Sequence, residues 1–308
     1  MKYKLLAMCV SAAIIAGCHD HKDDETITVT PPPPPPPASV LAIQAFDGAV
    51  WGMDAEAVCD GVTIELGATD YYGFVYGETI TDPSICSFTF LPTENAIDIS
   101  NGKDMSDVTY KVPVGLVTAD AEKVSASPIS TLIANTLGDL PYDESTAVEV
   151  LGALGLSNLT SVSGISIADF LLDVEGSLAT IKEAGNGELF SQLSVVNVVL
   201  SDALVANVDV DPANLATAAA NLAALVLAAY PDYPMNADGE EIVIDVKEIA
   251  KKIEDLIDPD FDPQNPPGTI VLPTPKPTTP PEEPEDPNEP PTGGTGGTGG
   301  TGGGGTGG

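Results

Sequence analysis

Asp60-Gly61-Val62-Thr63-Ile64-Glu65-Leu66 decides the reading of the first half of this chain. An Asp-Gly pair is a strong hairpin signal, and the five residues behind it alternate apolar and polar as a half-buried strand does. The pattern recurs on both sides. Asp47-Gly48 precedes Ala49-Val50-Trp51, Ser87-Phe88-Thr89-Phe90 and Ile97-Asp98-Ile99 alternate, and Asn101-Gly102 lies just beyond. Some seven short strands at this spacing predict a small all-β sandwich over residues 40–118.

The period changes after residue 118. Ile167, Phe170, Leu171, Val174, Leu178 and Ile181 recur at helical spacing, behind a capping box at Ser166-Ile167-Ala168-Asp169 and ahead of Gly185. Leu189, Leu193, Val196, Leu200 and Leu204 mark a second helix, and Asp211-Pro212 opens an alanine-rich third. Asp245 caps a last one with Val246, Ile249, Ala250, Ile253 and Leu256 inward, and earlier helices are expected over 129–137 and 145–154. The fold class is therefore α+β: a sandwich, then an all-α bundle over 119–258. Small residues at Ala216, Ala219, Ala220, Ala223 and Ala224 would let its helices approach closely.

Residues 259–308 read as a disordered tail. Thirteen prolines and many acids fill 259–291, and 12 glycines with 4 threonines make up 293–308. Neither stretch can bury enough apolar area to offset chain entropy.

Charge excludes several functions. The 308 residues hold 11 Lys+Arg against 46 Asp+Glu, a net −35, and every basic residue is lysine. Such a field repels phosphate backbones, so no nucleic-acid partner is expected. Without arginine there is no bidentate anion clamp. The two histidines, His19 and His21, sit at the N-terminus, so a Ser-His-Asp triad or a His-ligated zinc site is missing from the folded part.

Cys59 and Cys86 are the two cysteines of the folded region. In an exported chain they should pair, closing a loop of about 27 residues and stabilising the domain by roughly 3 kcal/mol in the chain-entropy model.

Export is indicated at the start. Lys2 and Lys4 precede an apolar run over 5–16, too short to span a hydrocarbon core of about 30 Å. The run ends in Ile15-Ala16-Gly17-Cys18, which resembles the lipobox of bacterial lipoproteins. The resemblance implies removal of residues 1–17, lipidation of Cys18, and a membrane partner reached through the lipid. With His19 rather than Asp after the cysteine, it implies the outer membrane, with the cell surface expected and a periplasm-facing domain as the alternative. Residues 18–39 would be a tether, stiffened by seven prolines at 31–37 over roughly 20 Å of polyproline II.

Ala45-Phe46-Asp47-Gly48-Ala49-Val50-Trp51-Gly52, followed by Gly67-Ala68-Thr69-Asp70-Tyr71-Tyr72-Gly73-Phe74, resembles the strand pattern of transthyretin-like or CnaB-like sandwich modules in bacterial adhesin-like surface proteins. Val124-Ser125-Ala126-Ser127-Pro128-Ile129-Ser130-Thr131-Leu132-Ile133 resembles the segment that opens a helical region in many of the same proteins. The resemblance implies a non-enzymatic surface module. Cys59-Asp60-Gly61 stands where the family carries an Asp/Asn-rich segment, which removes a family-type calcium loop.

Trp51, Tyr71, Tyr72 and Tyr76 cluster near one hairpin and are the candidate ligand-binding residues, either as core or as a stripe that stacks on a glycan or protein ligand. No catalytic residue is nominated and no cofactor is expected. Calcium is left open only at the alternating oxygens of Asn207, Asp209 and Asp211, since the run from Asp258 has Pro263 and Thr269 where an EF-hand needs Gly and Glu. The leading expectation is a binding or adhesion module. The alternative is a subunit or anchor of a surface fibre or matrix. A glycan hydrolase ranks third, because no carboxylate pair is singled out. Oligomeric state is open.

Overall fold

The computed structural model describes residues 40–258 and 260–284. The lipobox with Cys18, the seven-proline tether and the Gly-Thr tail lie outside the described residues. The fold is mixed α+β, with sheets from the N-terminal half followed by helices.

Strands β1 (Ala42–Ala45), β2 (Val50–Trp51), β3 (Asp54–Cys59), β4 (Val62–Ala68) and β5 (Phe74–Tyr76) come first. They are followed by β6 (Cys86–Leu91), β7 (Ile97–Asp98), β8 (Tyr110–Val112) and β9 (Lys123–Ala126). One antiparallel sheet has the order β4-β3-β6-β8, and a second has the order β5-β1-β9. The β3–β4 hairpin turns at Asp60 (φ 50°) and Gly61 (φ 78°). Two successive left-handed residues match the twist of the flanking strands, which is why Asp-Gly works there. Ala55 and Ala57 of β3 and Phe88 and Phe90 of β6 face inward and are buried. β4 is an edge strand, and Val62 on it is 63 % exposed.

β9 lies past residue 118 and pairs in parallel with β1, Ile43 opposite Val124. Buried side chains from both sides of residue 118 form one hydrophobic cluster, so sheets and helices pack as one body.

The helices are α1 (Pro128–Leu137), α2 (Glu144–Ala153), α3 (Leu159–Ser163), α4 (Ile167–Leu172) and α5 (Val174–Glu183). Then come α6 (Gly187–Ala206), α7 (Pro212–Ala229), and the single turns α8 (Lys247–Ala250) and α9 (Ile253–Leu256). The sequence signals start several of them. Ser127 and Ser130 form a reciprocal capping box on α1, and Asp211 accepts from Ala213 N and Asn214 N at the head of α7. Leu215, Ala216, Ala219, Leu222 and Ala223 of α7 are buried, and α7 packs on α6.

Two expectations are corrected. The single helix read over 167–185 is broken at Asp173. Its carboxylate accepts from Gly176 N at 3.0 Å and starts α5, while Ser125 Oγ accepts from Val174 N. A side chain that caps within a helical run offers the backbone an alternative to continuing. The helix expected after Asp245 is likewise two separate turns, α8 and α9.

The second correction concerns the tail. Residues 260–284 are laid on the body instead of being disordered. Ile270 is buried, and β11 (Lys276–Pro277) pairs antiparallel with β10 (Ile242–Val243). Thr278 N and Thr279 N donate to Glu241 O and Asn101 O. Proline lowers the conformational entropy a segment loses on docking, so few contacts suffice to hold it.

Candidate functional site

The predicted aromatic residues divide. Trp51 is 1 % exposed and belongs to the core, so its ring is closed to a ligand. Tyr71 packs edge-on against it at 5.3 Å between centroids, and Tyr72 edge-on against Tyr71 at 5.4 Å. Both tyrosines are partly exposed. Tyr76 lies apart from these three and stacks on Phe74 instead, at 6.3 Å.

Asp70 sets this corner. Its Oδ1 accepts from Tyr72 N and Phe74 N, each at 2.9 Å, which fixes the turn that presents both phenols. Burial pushes the Asp70 carboxyl up, against the lowering effect of those two N–H groups. The phenols hold the chain's own C-terminal segment. Tyr71 OH donates to Pro281 O at 3.0 Å, and Tyr72 OH donates to Glu283 Oε1 at 3.1 Å. Burial first, then the Glu283 charge, raises the Tyr71 hydroxyl above its ordinary value.

Cys59 and Cys86 form a disulfide between directly opposed residues of β3 and β6, with Cα atoms 4.0 Å apart. It joins the inner strands of the sheet and is remote in sequence from the aromatic corner.

The alternating oxygens read as a candidate calcium loop have other partners. Asn207 Nδ2 donates to Ala203 O and Ala250 O, and Asp211 Oδ1 caps α7. Among the described residues no group of three or more His, Cys, Asp or Glu side chains is placed to hold a metal ion.

A second constellation was not anticipated. Asp47, Asp98, Lys103 and Asp202 meet inside the fold, brought there by the turn after β1, by β7 and the loop behind it, and by the middle of α6. Lys103 Nζ stands 2.8 Å from Asp202 Oδ1, with side chains 7 % and 1 % exposed. The other Asp202 oxygen accepts from Val246 N at 2.8 Å. Asp98 accepts from Ser100 N, Ser100 Oγ and Asn101 Nδ2. Asp47 is different: neither of its oxygens has a hydrogen-bond partner. Tyr110 OH and Ser201 Oγ bond each other at 2.9 Å beside the group.

The electrostatics follow from burial. Desolvation pushes Asp47 up to about 7, and the Lys103 charge only partly opposes it. Burial also raises Asp98, against the hydrogen bonds that hold its charge. Burial pulls the Lys103 ammonium down, but Asp202, Asp47 and Asp98 together keep it above its ordinary value. Desolvation raises the neighbouring Tyr233 phenol as well. The sequence held one local sign of this cluster: Asp202 is the single charged residue in the apolar stretch from Leu189 to Ala206.

No family model, curated protein or solved structure matches this chain.

Proposed function

We propose that this chain is a lipid-anchored bacterial envelope protein, carried on Cys18 in the outer membrane and facing outward, that works as a non-enzymatic binding or adhesion module. In this reading the sheets β4-β3-β6-β8 and β5-β1-β9 are the two layers of a transthyretin-like sandwich, and the helices form a bundle that supports it. The recognition surface is the corner at Tyr71 and Tyr72. One observation carries the assignment: both phenol hydroxyls already grip a Pro-rich, acidic segment of the same chain. Aromatic faces ending in hydroxyl donors suit glycans and polar peptide backbones alike.

Shaving intact cells with a protease tests the location, and loss of the mature chain is expected. Full protection would place the domain in the periplasm and remove the adhesion role. Glycan and peptide arrays probed with the intact chain and with Tyr71→Phe/Tyr72→Phe test the surface. The double variant should lose captured ligands without a change in Tm.

One observation favours a second reading as a fibre subunit. β4 has a hydrogen-bonded strand on one side only, and strand addition at such an edge joins neighbours in many assemblies. Concentration-dependent oligomers abolished by a proline within β4 would favour that reading.

A further inference from the structure

Away from the tyrosine corner, a cavity of about 220 Å³ lies between the Asp47-Gly48 turn, α6 and the loop carrying Tyr233. Its walls are largely apolar, built from Phe46, Phe190, Val198 and Ile242. Two polar side chains among its lining residues are out of place in such walls. Asp47 is 7 % exposed and Asn197 is 3 % exposed. Neither Asp47 oxygen has a hydrogen-bond partner, and neither does Asn197 Oδ1. Buried polar groups in native folds are nearly always paired, so three orphaned atoms at one cavity mark a missing partner.

The chemistry of that partner follows from the atoms. A carboxylate and an amide oxygen both accept, so the partner donates. The charge balance adds a sign. Lys103 is engaged by Asp202 at 2.8 Å, and the charge of Asp98 is held by three hydrogen bonds. Asp47 is the carboxyl left without a counter-charge. Glu241, an exposed residue of the cavity lining, adds a further negative group, and the −35 net charge draws cations toward the whole molecule. Size sets the body. A cavity of roughly 150 Å³ holds benzene, so this one has room for a ring and a short arm.

We propose that this cavity binds a small organic ammonium, a primary amine on a compact apolar body, with its N–H groups on Asp47 and Asn197 and its body against Phe46, Phe190 and Val198. No bond is made or broken. Where Asp47 carries a proton before binding, that proton is released to solvent as the ammonium arrives, and the local charge is unchanged. The groups that face Asp47 are Lys103, Asp98, Asp202, Tyr110, Ser201 and Tyr233, and of these only Lys103 is cationic.

Isothermal titration of the intact chain with 2-phenylethylamine tests the proposal, with 2-phenylethanol as the neutral isostere. The amine should bind and the alcohol should bind at least tenfold more weakly. Because Asp47 titrates near 7, amine affinity should rise about tenfold from pH 6 to pH 8, with proton release at pH 6 read from buffers of different ionisation enthalpy. Asp47→Asn should lose the preference for the amine while keeping its Tm. If that variant fails to fold, the pH series on the unmodified chain decides alone. Equal binding of amine and alcohol, an affinity flat in pH, or no binding of the amine would each overturn the proposal.

Discussion

Lys103 Nζ and Asp202 Oδ1, 2.8 Å apart and shielded from solvent, tie the loop behind β7 to the middle of α6. Because the two residues are 99 positions apart, the pair registers the sheet half of the molecule against its longest helix. Removing one partner of a buried pair strands the other. Lys103→Met should therefore destabilise by about 3–5 kcal/mol in urea unfolding, while Lys103→Met/Asp202→Leu should recover much of that loss. A single variant as stable as the parent would mean that the pair is solvated.

The raised Asp47 value gives a pH dependence with a definite sign. Its carboxyl titrates at about 7 in the fold against 3.8 as the ordinary value. The folded state therefore binds more protons between those values. The contribution of this group is fully present below about 4 and is lost as pH rises through about 7. Asp47→Asn removes the cost of ionising there. The difference in unfolding free energy between variant and parent should grow in favour of the variant from pH 4 to pH 8, on the order of 4 kcal/mol at full development. A difference that stays constant with pH would show that Asp47 titrates normally.

The disulfide closes 27 residues between the two inner strands of the antiparallel sheet. Cys59→Ser/Cys86→Ala should cost roughly 3 kcal/mol, seen as a fall in the urea midpoint with a nearly unchanged slope.

The docked C-terminal segment is checked by hydrogen exchange. The amides of Thr278 and Thr279 donate to Glu241 O and Asn101 O, so they should be protected while exposed Glu282 exchanges freely. Gly102 carries the complementary test. It has φ +78°, and a Cβ there would collide with the Thr279 carbonyl oxygen. Gly102→Ala should abolish the protection of Thr279 and expose Tyr71 and Tyr72 to acrylamide quenching.

Local chemistry was legible in the sequence; distant pairing was not. Asp60-Gly61 predicts its own hairpin because the turn conformation is a property of two residues. Asp211-Pro212 and Ser127-Pro128 announce α7 and α1 for the same reason. The β1–β9 pairing joins Ile43 to Val124 and leaves no local trace. Asp173 was read as one position in a continuous helix because apolar spacing persists across it. Its capping bond to Gly176 competes with that spacing and wins. The tail was read by composition, which measures the apolar area a segment can bury but misses a docking that rests on backbone hydrogen bonds. At the site, the tyrosine corner was visible as a cluster in sequence, though Trp51 sits beneath it and Tyr76 lies apart from it. The ionic group around Asp47 draws on residues 47, 98, 103 and 202, and only the fold assembles them.

The position of β1 has a mechanical consequence. It is the central strand of its sheet, antiparallel to β5 on one side and parallel to β9 on the other. Tension arriving through the residues that precede Leu41 therefore enters the molecule at β1 and runs along the strand, so both flanking ladders are loaded in shear. Their hydrogen bonds then share the load and must fail together, rather than unzipping one by one as at a peeled edge. A domain pulled from that end should hold force far better than one pulled across β4.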